Sequence, residues 1–412
     1  MKTAETLNQD PREHEFVQNP YALYNQLHRT GEPVFWKNYG FWCLPSFDDV
    51  NSVLRDRQFA RVPPPGHEAL EMPTHLVDFA ASEKYSLLAL EPPAHTRLRK
   101  LVNRAFLNRQ VNLMSSGIRE LANRCLDEVQ LQGQFDVLKD YAAPIPVTVI
   151  TRLLGVSEDS GQQLIVWSHA MVQVYTLTQS VAEEHLANQA AAEFQEFLKN
   201  CLARKRKEPG DDLLSHLIQQ QNDEEPLSDE EIICVAILLL NAGHEATVHQ
   251  LGNAVLTLLN HYPIERRDQL LSLLADDTSA DAIVTECLRF AAPLHLFTRY
   301  AQTSIKLNEH VRLEPGDQVG LLLAAANRCP RRFKDPEQFN PKRDDAGHLS
   351  LGAGIHFCVG AHLAKLELRI ALQVLFSRFP TLRLSGTAVY QNSYHFHGLE
   401  KLPVTWEPKP NA

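Results

Sequence analysis

Apolar residues recur at helical spacing through the middle of this 412-residue chain, from about residue 96 to 290. Shorter segments of strand-like composition lie nearer the two ends, at 33–44 and 311–323. The segment 62–90 contains four prolines and predicts a long loop with one short helix. With no inter-domain linker in evidence, the pattern predicts one mostly helical domain with small sheets.

The clearest predicted helix begins at Ser228 and ends near Leu259. Ser228 is a good N-cap, Glu231 completes a capping box, and Pro263 marks the stop. The middle of the helix is strongly apolar, which predicts a path through the core. The segment 241–247 then places a glycine and an acid in this apolar helix, and both cost stability. Such a conflict indicates either a functional break in the helix or a glycine at a tight helix crossing.

A single cysteine lies in a glycine-rich loop, Leu-Gly-Ala-Gly-Ile-His-Phe-Cys-Val-Gly at 351–360, ahead of a predicted helix over 361–379. Helix-terminal N–H groups and the helix dipole favour the thiolate of Cys358 over the thiol. Glycines would let the backbone lie against a large planar group. The thiolate is therefore a candidate axial ligand to haem iron. The alternatives are a buried structural cysteine, or a zinc site with His356 and His362 that lacks a fourth ligand at tight spacing.

Two further groups of charged residues add to this picture. Glu286 and Arg289 share a helix face, and Arg343, shortly before the cysteine loop, is predicted to bond the same carboxylate. His95 and Arg99 lie one helical turn apart, so both donors point the same way and suit an anionic group such as a carboxylate. The alternative for Glu286 and Arg289 is a solvated surface ion pair. The alternative for His95 and Arg99 is a solvated basic face of the helix.

Taken in chain order, these residues resemble the cytochrome P450 family of haem-thiolate enzymes, in its soluble bacterial form. The resemblance implies a mainly α fold with small β-sheets, arranged as a single triangular helical domain over residues 1–412. It implies haem b (iron protoporphyrin IX) as the cofactor, with Cys358 as the iron ligand. Glu286, Arg289 and Arg343 would form a structural triad behind the cysteine loop. The other cofactor-binding residues that it implies are His95, Arg99, Arg299 and His356 at the haem propionates, together with Ala242, Gly243 and Gly360.

On the oxygen side, the resemblance implies catalytic roles for Glu245, Ala246 and Thr247, with the acid and a hydroxyl relaying protons. The family usually has Thr directly after the acid, where this chain has Ala246. One residue is about 100° around a helix, so Thr247 cannot simply take over that position. We predict that a substrate hydroxyl or an ordered water replaces the missing threonine. Two other departures, Leu351 for a usual Phe and Cys329 for a usual Asp, should leave the ligand unchanged.

Composition and charge narrow the class of protein. Hydrophobic residues make up 44% of the chain and charged residues 22%, which allows a sizeable core. The seven cysteines are scattered and odd in number, which favours a reducing compartment over a disulfide framework. A net charge of −10 argues against nucleic acid as a partner. The N-terminal segment is polar and has no membrane anchor, so we expect a cytoplasmic protein, and a monomer.

No flavin or iron–sulfur motif occurs in the chain, so electrons would come from another protein. Between Pro92 and Arg119 there is no acidic residue. This local bias predicts a docking face for an acidic ferredoxin or flavodoxin that is served by an NAD(P)H-dependent reductase. The alternative is a helix that is basic for solubility. The basic side chains concerned are Arg97, Arg99, Lys100, Arg104 and Arg109.

The resemblance implies a monooxygenase that inserts one oxygen atom from O2 into a lipophilic small molecule. An apolar pocket lining suits a medium-sized compound such as a terpenoid, a steroid or an aromatic molecule. One alternative is a peroxide-driven or otherwise atypical haem-thiolate enzyme, and another is a non-catalytic haem protein that binds ligands. A buried acid at Glu245 favours catalysis. The implied lining residues are Val172, Val174, Leu239, Leu294, Phe297 and Phe396.

Overall fold

A computed structural model describes residues 5–67, 72–175, 180–220 and 226–407. Helices dominate these ranges, as the apolar periodicity predicts. The α-helices of the described ranges are α1 His14–Gln18, α2 Tyr21–Leu27, α3 Phe47–Arg55, α4 Val77–Glu83, α5 Ala94–Ala105, α6 Asn108–Leu113, α7 Ser115–Val129, α8 Pro144–Leu154, α9 Gly161–Val172, α10 Val181–Lys207, α11 Leu213–Gln219, α12 Asp229–His261, α13 Arg267–Ala275, α14 Asp277–Phe290, α15 Leu323–Ala326 and α16 Ala361–Arg378.

The strands within the described ranges are short and form four small sheets. The largest has the order β1-β2-β3-β9-β6-β4, with parallel pairs β1/β2 and β3/β9 and antiparallel pairs elsewhere. The others are β10-β13-β5, β11-β12 and β7-β8. The strands are β1 Thr6–Leu7, β2 Val34–Trp36, β3 Phe41–Leu44, β4 Phe59–Ala60, β5 Gln134–Asp136, β6 Leu296–Ala301, β7 Ile305–Lys306, β8 Arg312–Leu313, β9 Gln318–Leu322, β10 Arg383–Leu384, β11 Val389–Tyr390, β12 Leu399–Lys401 and β13 Pro403–Thr405.

The chain divides into two compact units, and the larger comprises the described residues of 1–68, 112–143 and 246–412. It contains all the sheets listed above, α1–α3, α7 and α13–α16. Its core packs both faces of the large sheet: Trp36 and Leu296 lie in one buried cluster, and Val319 and Leu321 in another. Alternation along the strands sends successive side chains to opposite faces, which is why one sheet supports two clusters.

The smaller unit comprises the described residues of 69–111 and 144–245. Its longest helix, α10, begins with a complete capping box between Ser180 and Glu183. α10 packs against α9, where the rings of Trp167 and Phe194 stack at 5.4 Å between centroids. The boundary between the units falls inside α12, between Glu245 and residue 246.

The main secondary-structure predictions are confirmed, with one correction at α12. Ser228 and Glu231 form the predicted capping box, in which each backbone N–H donates to the other residue's side chain. The predicted break over 241–247 is wrong, because the helix continues without interruption to His261. Gly243 is tolerated because the backbone keeps its helical hydrogen bonds, and a Cβ placed there would meet only Ile150 Cδ1, at 3.8 Å.

α12 is also the one helix of the described residues that is long and apolar enough to cross a membrane. Of its most apolar 18-residue window, 83% is buried inside the protein. This is the burial of a core helix.

Candidate functional site

The cysteine loop is closed by its own backbone. A short 3₁₀ helix, Gly354–His356, precedes Cys358, and α16 begins three residues after it. The N–H of Cys358 donates to the carbonyl of Leu351 at 2.9 Å, and the N–H of Phe357 donates to the carbonyl of Gly354 at 3.2 Å. Cys358 is partly exposed, whereas the six other cysteines are buried. The sulfur therefore belongs to an ordered loop that precedes a helix N-terminus, a position that favours its thiolate form.

Two glycines of this loop have a structural role. Gly352 and Gly354 have φ values of +70° and +68°, which residues with a Cβ rarely adopt. A Cβ at Gly354 would also overlap the backbone of Leu54 and Arg55 at the end of α3. The shape of the loop thus requires glycine at both positions.

Glu286 lies at the centre of the predicted charged triad, in the larger unit. Both of its oxygens accept from Arg289 at 2.8 Å, and Oε2 also accepts from Nε of Arg343 at 2.8 Å. The backbone N–H of Asn340 donates to Oε1 at 2.8 Å, which adds a fourth hydrogen bond. The three side chains of the triad are at most 4% exposed. The predicted bond from Arg343 is confirmed, and the contacts join α14 to the chain segment that leads into the cysteine loop.

Arg289 also holds the surrounding backbone. Its Nη1 donates to the carbonyls of Asn327 at 2.9 Å and Pro336 at 3.0 Å. Asn327 in turn donates to Ser350 Oγ at 2.7 Å and accepts from the N–H of Leu349 at 2.7 Å. The residues just ahead of the cysteine loop are therefore tied to α14 by buried, fully paired polar groups, whereas an unpaired charge here would be costly.

The predicted pair on α5 lies in the smaller unit. His95 is buried, and Arg99, one turn later, is partly exposed and donates to Asn103 Oδ1 at 3.0 Å. Nearby, Arg97 forms an ion pair with Glu231, the capping residue of α12. The composition of the basic segment gave no signal for that pairing.

The segment 241–247 of α12 has one uncovered face, whereas residues 231–240 and 248–255 on either side of it are buried. Ala242 is exposed, and Gly243 and Ala246 are half-buried. Residues at i, i+1 and i+4 share one side of a helix, so these three small residues form a continuous strip. Thr247 is buried and is not part of that strip.

The acid of this segment has a neighbour that the sequence analysis did not single out. Glu245 is 7% exposed, and its Oε2 lies 3.7 Å from Nδ1 of the buried His244. Adjacent positions on a helix point in different directions, so their spacing gave no indication of an ion pair. The two side chains bring a carboxylate and an imidazole together within the smaller unit.

The remaining predicted residues of the larger unit lie on β6, near it, or in the C-terminal turn. Arg299 of β6 is 3% exposed, and its Nη1 donates to the carbonyl of Thr298 at 2.9 Å. Leu294, just before β6, forms an isolated β-bridge with Phe396. Leu294, Phe297 and Phe396 are half-buried apolar side chains. His356, in the 3₁₀ turn before the cysteine, and Gly360, the N-cap of α16, also belong to this unit.

With this geometry in place, the chain can be assigned to a class. It belongs to the cytochrome P450 family, because the family model described as "Cytochrome P450" matches residues 18–399. It is 36% identical over 396 residues to the 6-deoxyerythronolide B hydroxylase of Saccharopolyspora erythraea, covering 93% of this chain and 95% of that one. It is also 36% identical over 406 residues to the vitamin D(3) 25-hydroxylase of Pseudonocardia autotrophica, with 96% and 95% covered.

Solved structures support the same assignment. The structure of P450BioI in complex with an acyl carrier protein ligated to hexadec-9Z-enoic acid matches with a TM-score of 0.88 and 33% identity, covering 95% of this chain and 100% of that one. The predicted family, fold class and haem b cofactor are confirmed. The protein is a monooxygenase of the oxidoreductase class.

The residues of each unit fit this cofactor. Cys358 supplies a partly exposed sulfur of the kind that ligates haem iron. The strip of small residues on α12 leaves room for a flat group, since none of its side chains is larger than a methyl. Arg299 and His356 supply donors suited to carboxylates in the larger unit, and His95 and Arg99 supply them in the smaller one.

Proposed function

We propose that this protein is a reductase-dependent monooxygenase that hydroxylates a medium-sized lipophilic molecule. Haem b, when bound, would supply the oxygen-activating iron, and Cys358 would hold that iron as an electron-donating thiolate. The observation that carries the proposal is the ordered cysteine loop, closed by its own backbone and tied to α14 through the Glu286 triad.

Four side chains would hold the haem propionates: His95, Arg99, Arg299 and His356. Propionates buried in a helical protein need cationic or imidazole partners, because an unpaired carboxylate is costly away from water. Ala242 and Gly243 would lie against the ring on the oxygen side, and Gly360 on the cysteine side. In this proposal residues 1–412 form one haem domain.

On the oxygen side, we assign proton delivery to Glu245. The carboxylate lies beside His244 and is shielded from bulk water. This burial suits a group that transfers protons to the active site without exchanging them freely with solvent. Ala246 belongs to the uncovered strip and carries no hydroxyl, while Thr247 is buried to one side of it. The hydroxyl that completes the relay would come from the substrate or from an ordered water.

The names of the relatives support the substrate class. One is named for hydroxylating 6-deoxyerythronolide B and another for hydroxylating vitamin D(3). The half-buried Leu294, Phe297 and Phe396 give this chain an apolar surface of the kind that such compounds require. We therefore propose a bulky lipophilic substrate, which carries a hydroxyl group if the substrate itself, and not an ordered water, completes the relay.

Electrons would come from an NAD(P)H-dependent reductase through an acidic ferredoxin or flavodoxin, and the protein would act as a cytoplasmic monomer. The basic residues of 92–119 support an acidic partner, although Arg97 is paired with Glu231 and Arg104 donates to Gln220 at 2.7 Å. Lys100 and Arg109, both exposed, are the basic residues assigned to such a surface, whereas Arg99 is assigned above to the propionates.

The first test is the spectrum of the reduced, carbon monoxide-bound protein, which should carry the red-shifted Soret band of a thiolate-ligated haem. Turnover is then compared with a surrogate ferredoxin system and with hydrogen peroxide. Product with ferredoxin but little with peroxide supports the proposal, whereas the reverse result identifies a peroxide-driven enzyme. No product in either system, with tight ligand binding, identifies a haem ligand-binding protein.

The second test is a ligand screen that follows the Soret band. A substrate that displaces iron-bound water shifts the band, so macrolides, sterols and aromatic compounds can be ranked directly. Hydroxylated compounds should rank above their deoxy analogues. A preference for small unsubstituted aromatics would contradict the proposed substrate class.

A further inference from the structure

The C-terminal turn 394–398 is held against the start of β6 by backbone hydrogen bonds within the larger unit. The N–H of His295 donates to the carbonyl of His395 at 3.2 Å. The N–H of His397 donates to the carbonyl of Pro293 at 2.8 Å. The turn therefore cannot move along the strand without losing both bonds.

α12 contacts the same turn through two side chains one turn apart. Asn253 Nδ2 donates to the carbonyl of His397 at 2.9 Å. The ring of His249, only 2% exposed, packs on Gly398, and its centroid lies 6.5 Å from that of Phe396. These contacts fix the distance between the turn and α12, while the backbone bonds fix the position of the turn along β6.

Gly398 is required by this contact and not by its backbone conformation. It is not among the glycines with positive φ, so alanine would fit its dihedral angles. A Cβ at this position, however, would overlap the imidazole of His249. Because His249 is buried on all sides, the overlap would be relieved by movement of the turn.

The contact is close in sequence to the oxygen-side strip. His249 follows Ala246 by three residues, so the two share a face of α12. At the other end of the contact, Phe396 and Leu294 form their bridge and leave half-buried apolar surface. A shift of the turn would therefore move the apolar groups assigned above to the substrate pocket.

We propose that His249 is a positioning residue that, by packing on Gly398, sets how far Phe396 projects into the substrate pocket and thereby which bulky substrates fit. The inference rests on the proposed function, in which Phe396 lines that pocket. The inference adds to that function the pair His249 and Gly398, whose combined size determines the position of Phe396 in the wall of the substrate pocket.

The test uses two azoles that bind haem iron, imidazole and 4-phenylimidazole, in Soret titrations of the haem-loaded protein. Imidazole consists of the iron-binding ring alone, whereas 4-phenylimidazole carries a phenyl substituent that would have to fit within the pocket. In Gly398→Ala, the dissociation constant for 4-phenylimidazole should rise about tenfold while that for imidazole changes less than about twofold. In His249→Ala/Gly398→Ala, both constants should return to within about twofold of the wild-type values, a non-additive result.

Gly252→Ala is the matched control, because it lies on the same helix and its Cβ would meet only the side chain of Leu138, at 3.0 Å. It should leave both constants unchanged. Equal effects of Gly398→Ala on the two azoles, or additive effects in the double variant, would overturn the inference. If Gly398→Ala fails to load haem, recovery of loading in the double variant supports the inference and continued failure overturns it. Absence of the thiolate spectrum in the wild type would instead overturn the proposed function.

Discussion

The cysteine side and the oxygen side of this protein are built in contrasting ways. On the cysteine side, comprising 286–289, 327–343 and 349–361, the Glu286 carboxylate accepts four hydrogen bonds and the adjoining loop is closed by its backbone. On the proposed oxygen side, the 241–247 segment of α12, the backbone forms a continuous helix and the strip of Ala242, Gly243 and Ala246 has no polar side chain. The cysteine side is therefore stabilised by side-chain hydrogen bonds, and the oxygen side by the backbone hydrogen bonds of a helix.

This difference indicates which changes each side tolerates. Replacing a residue of the triad would leave buried charges without partners, which is strongly destabilising. Replacing a residue of the α12 strip leaves the helical hydrogen bonds intact, so chemistry can change while the fold persists. The departure at Ala246 is thus of the kind that a helix readily accommodates.

The largest effect should come from Cys358→Ser. Removing the thiolate should abolish both the red-shifted carbon monoxide band and monooxygenase turnover, because a neutral hydroxyl does not donate electron density as a thiolate does. Carbon monoxide difference spectra and product assays measure this. Cys125→Ala, at a buried cysteine of α7, is the control and should retain both. A retained thiolate band in Cys358→Ser would show that another residue ligates the iron.

Glu286→Gln should be the most damaging change to the cysteine side that leaves the cysteine in place. The amide keeps the size of the side chain but leaves the buried Arg289 without its counter-charge and Arg343 with Asp345 alone, at a cost of about 3–5 kcal/mol in the free energy of unfolding. Chemical denaturation and haem content measure the loss. Glu407→Gln is the control, since Glu407 and its partner Arg383 are 72% and 48% exposed. A similar small effect in both variants would contradict a structural role for the triad.

The pH dependence of stability should reveal a buried acid on α16. Burial raises the pKa of Glu367 from its usual 4.5 to about 8, so the folded protein holds this carboxyl protonated at neutral pH. Between pH 4.5 and 8 the unfolded chain has lost that proton and the folded chain has not, so the free energy of unfolding falls as pH rises. Glu367→Gln should match the wild type near pH 5 and exceed its stability near pH 9 by a few kcal/mol. Parallel stability curves from urea unfolding at the two pH values would contradict this.

The smallest effect should come from Ala246→Thr, on the oxygen side. With a substrate that carries the required hydroxyl, product formed per NAD(P)H consumed should change little. With a deoxy analogue, the added threonine should raise that ratio roughly tenfold by supplying the missing hydroxyl. If the wild type releases nearly all its electrons as peroxide even with its own substrate, and Thr restores coupling, substrate assistance is wrong.

Sequence reasoning succeeded where the signal is local. The Ser228 capping box and the helix after Cys358 depend on residues within a few positions of each other, and both are confirmed. The bond from Arg343 to Glu286 spans 57 residues, so no local pattern indicates it, and it was predicted from opposite charge and from the place of Arg343 shortly before the cysteine loop. The continuous helix through 241–247 was missed because a glycine in the middle of a helix usually indicates a break. Only the packing around Gly243 shows that the helix continues.

What the sequence by itself determined is the chemistry and the local structure: a cysteine ahead of a helix, an acid without the usual hydroxyl after it, and a mainly helical chain. Only the tertiary structure decided which side chains contact each other when they are far apart in the sequence. Glu231 caps α12 and also binds Arg97, and Gly398 is glycine because of His249, 149 positions earlier in the chain. Such contacts depend on the packing of whole elements, and no periodicity along the chain encodes them.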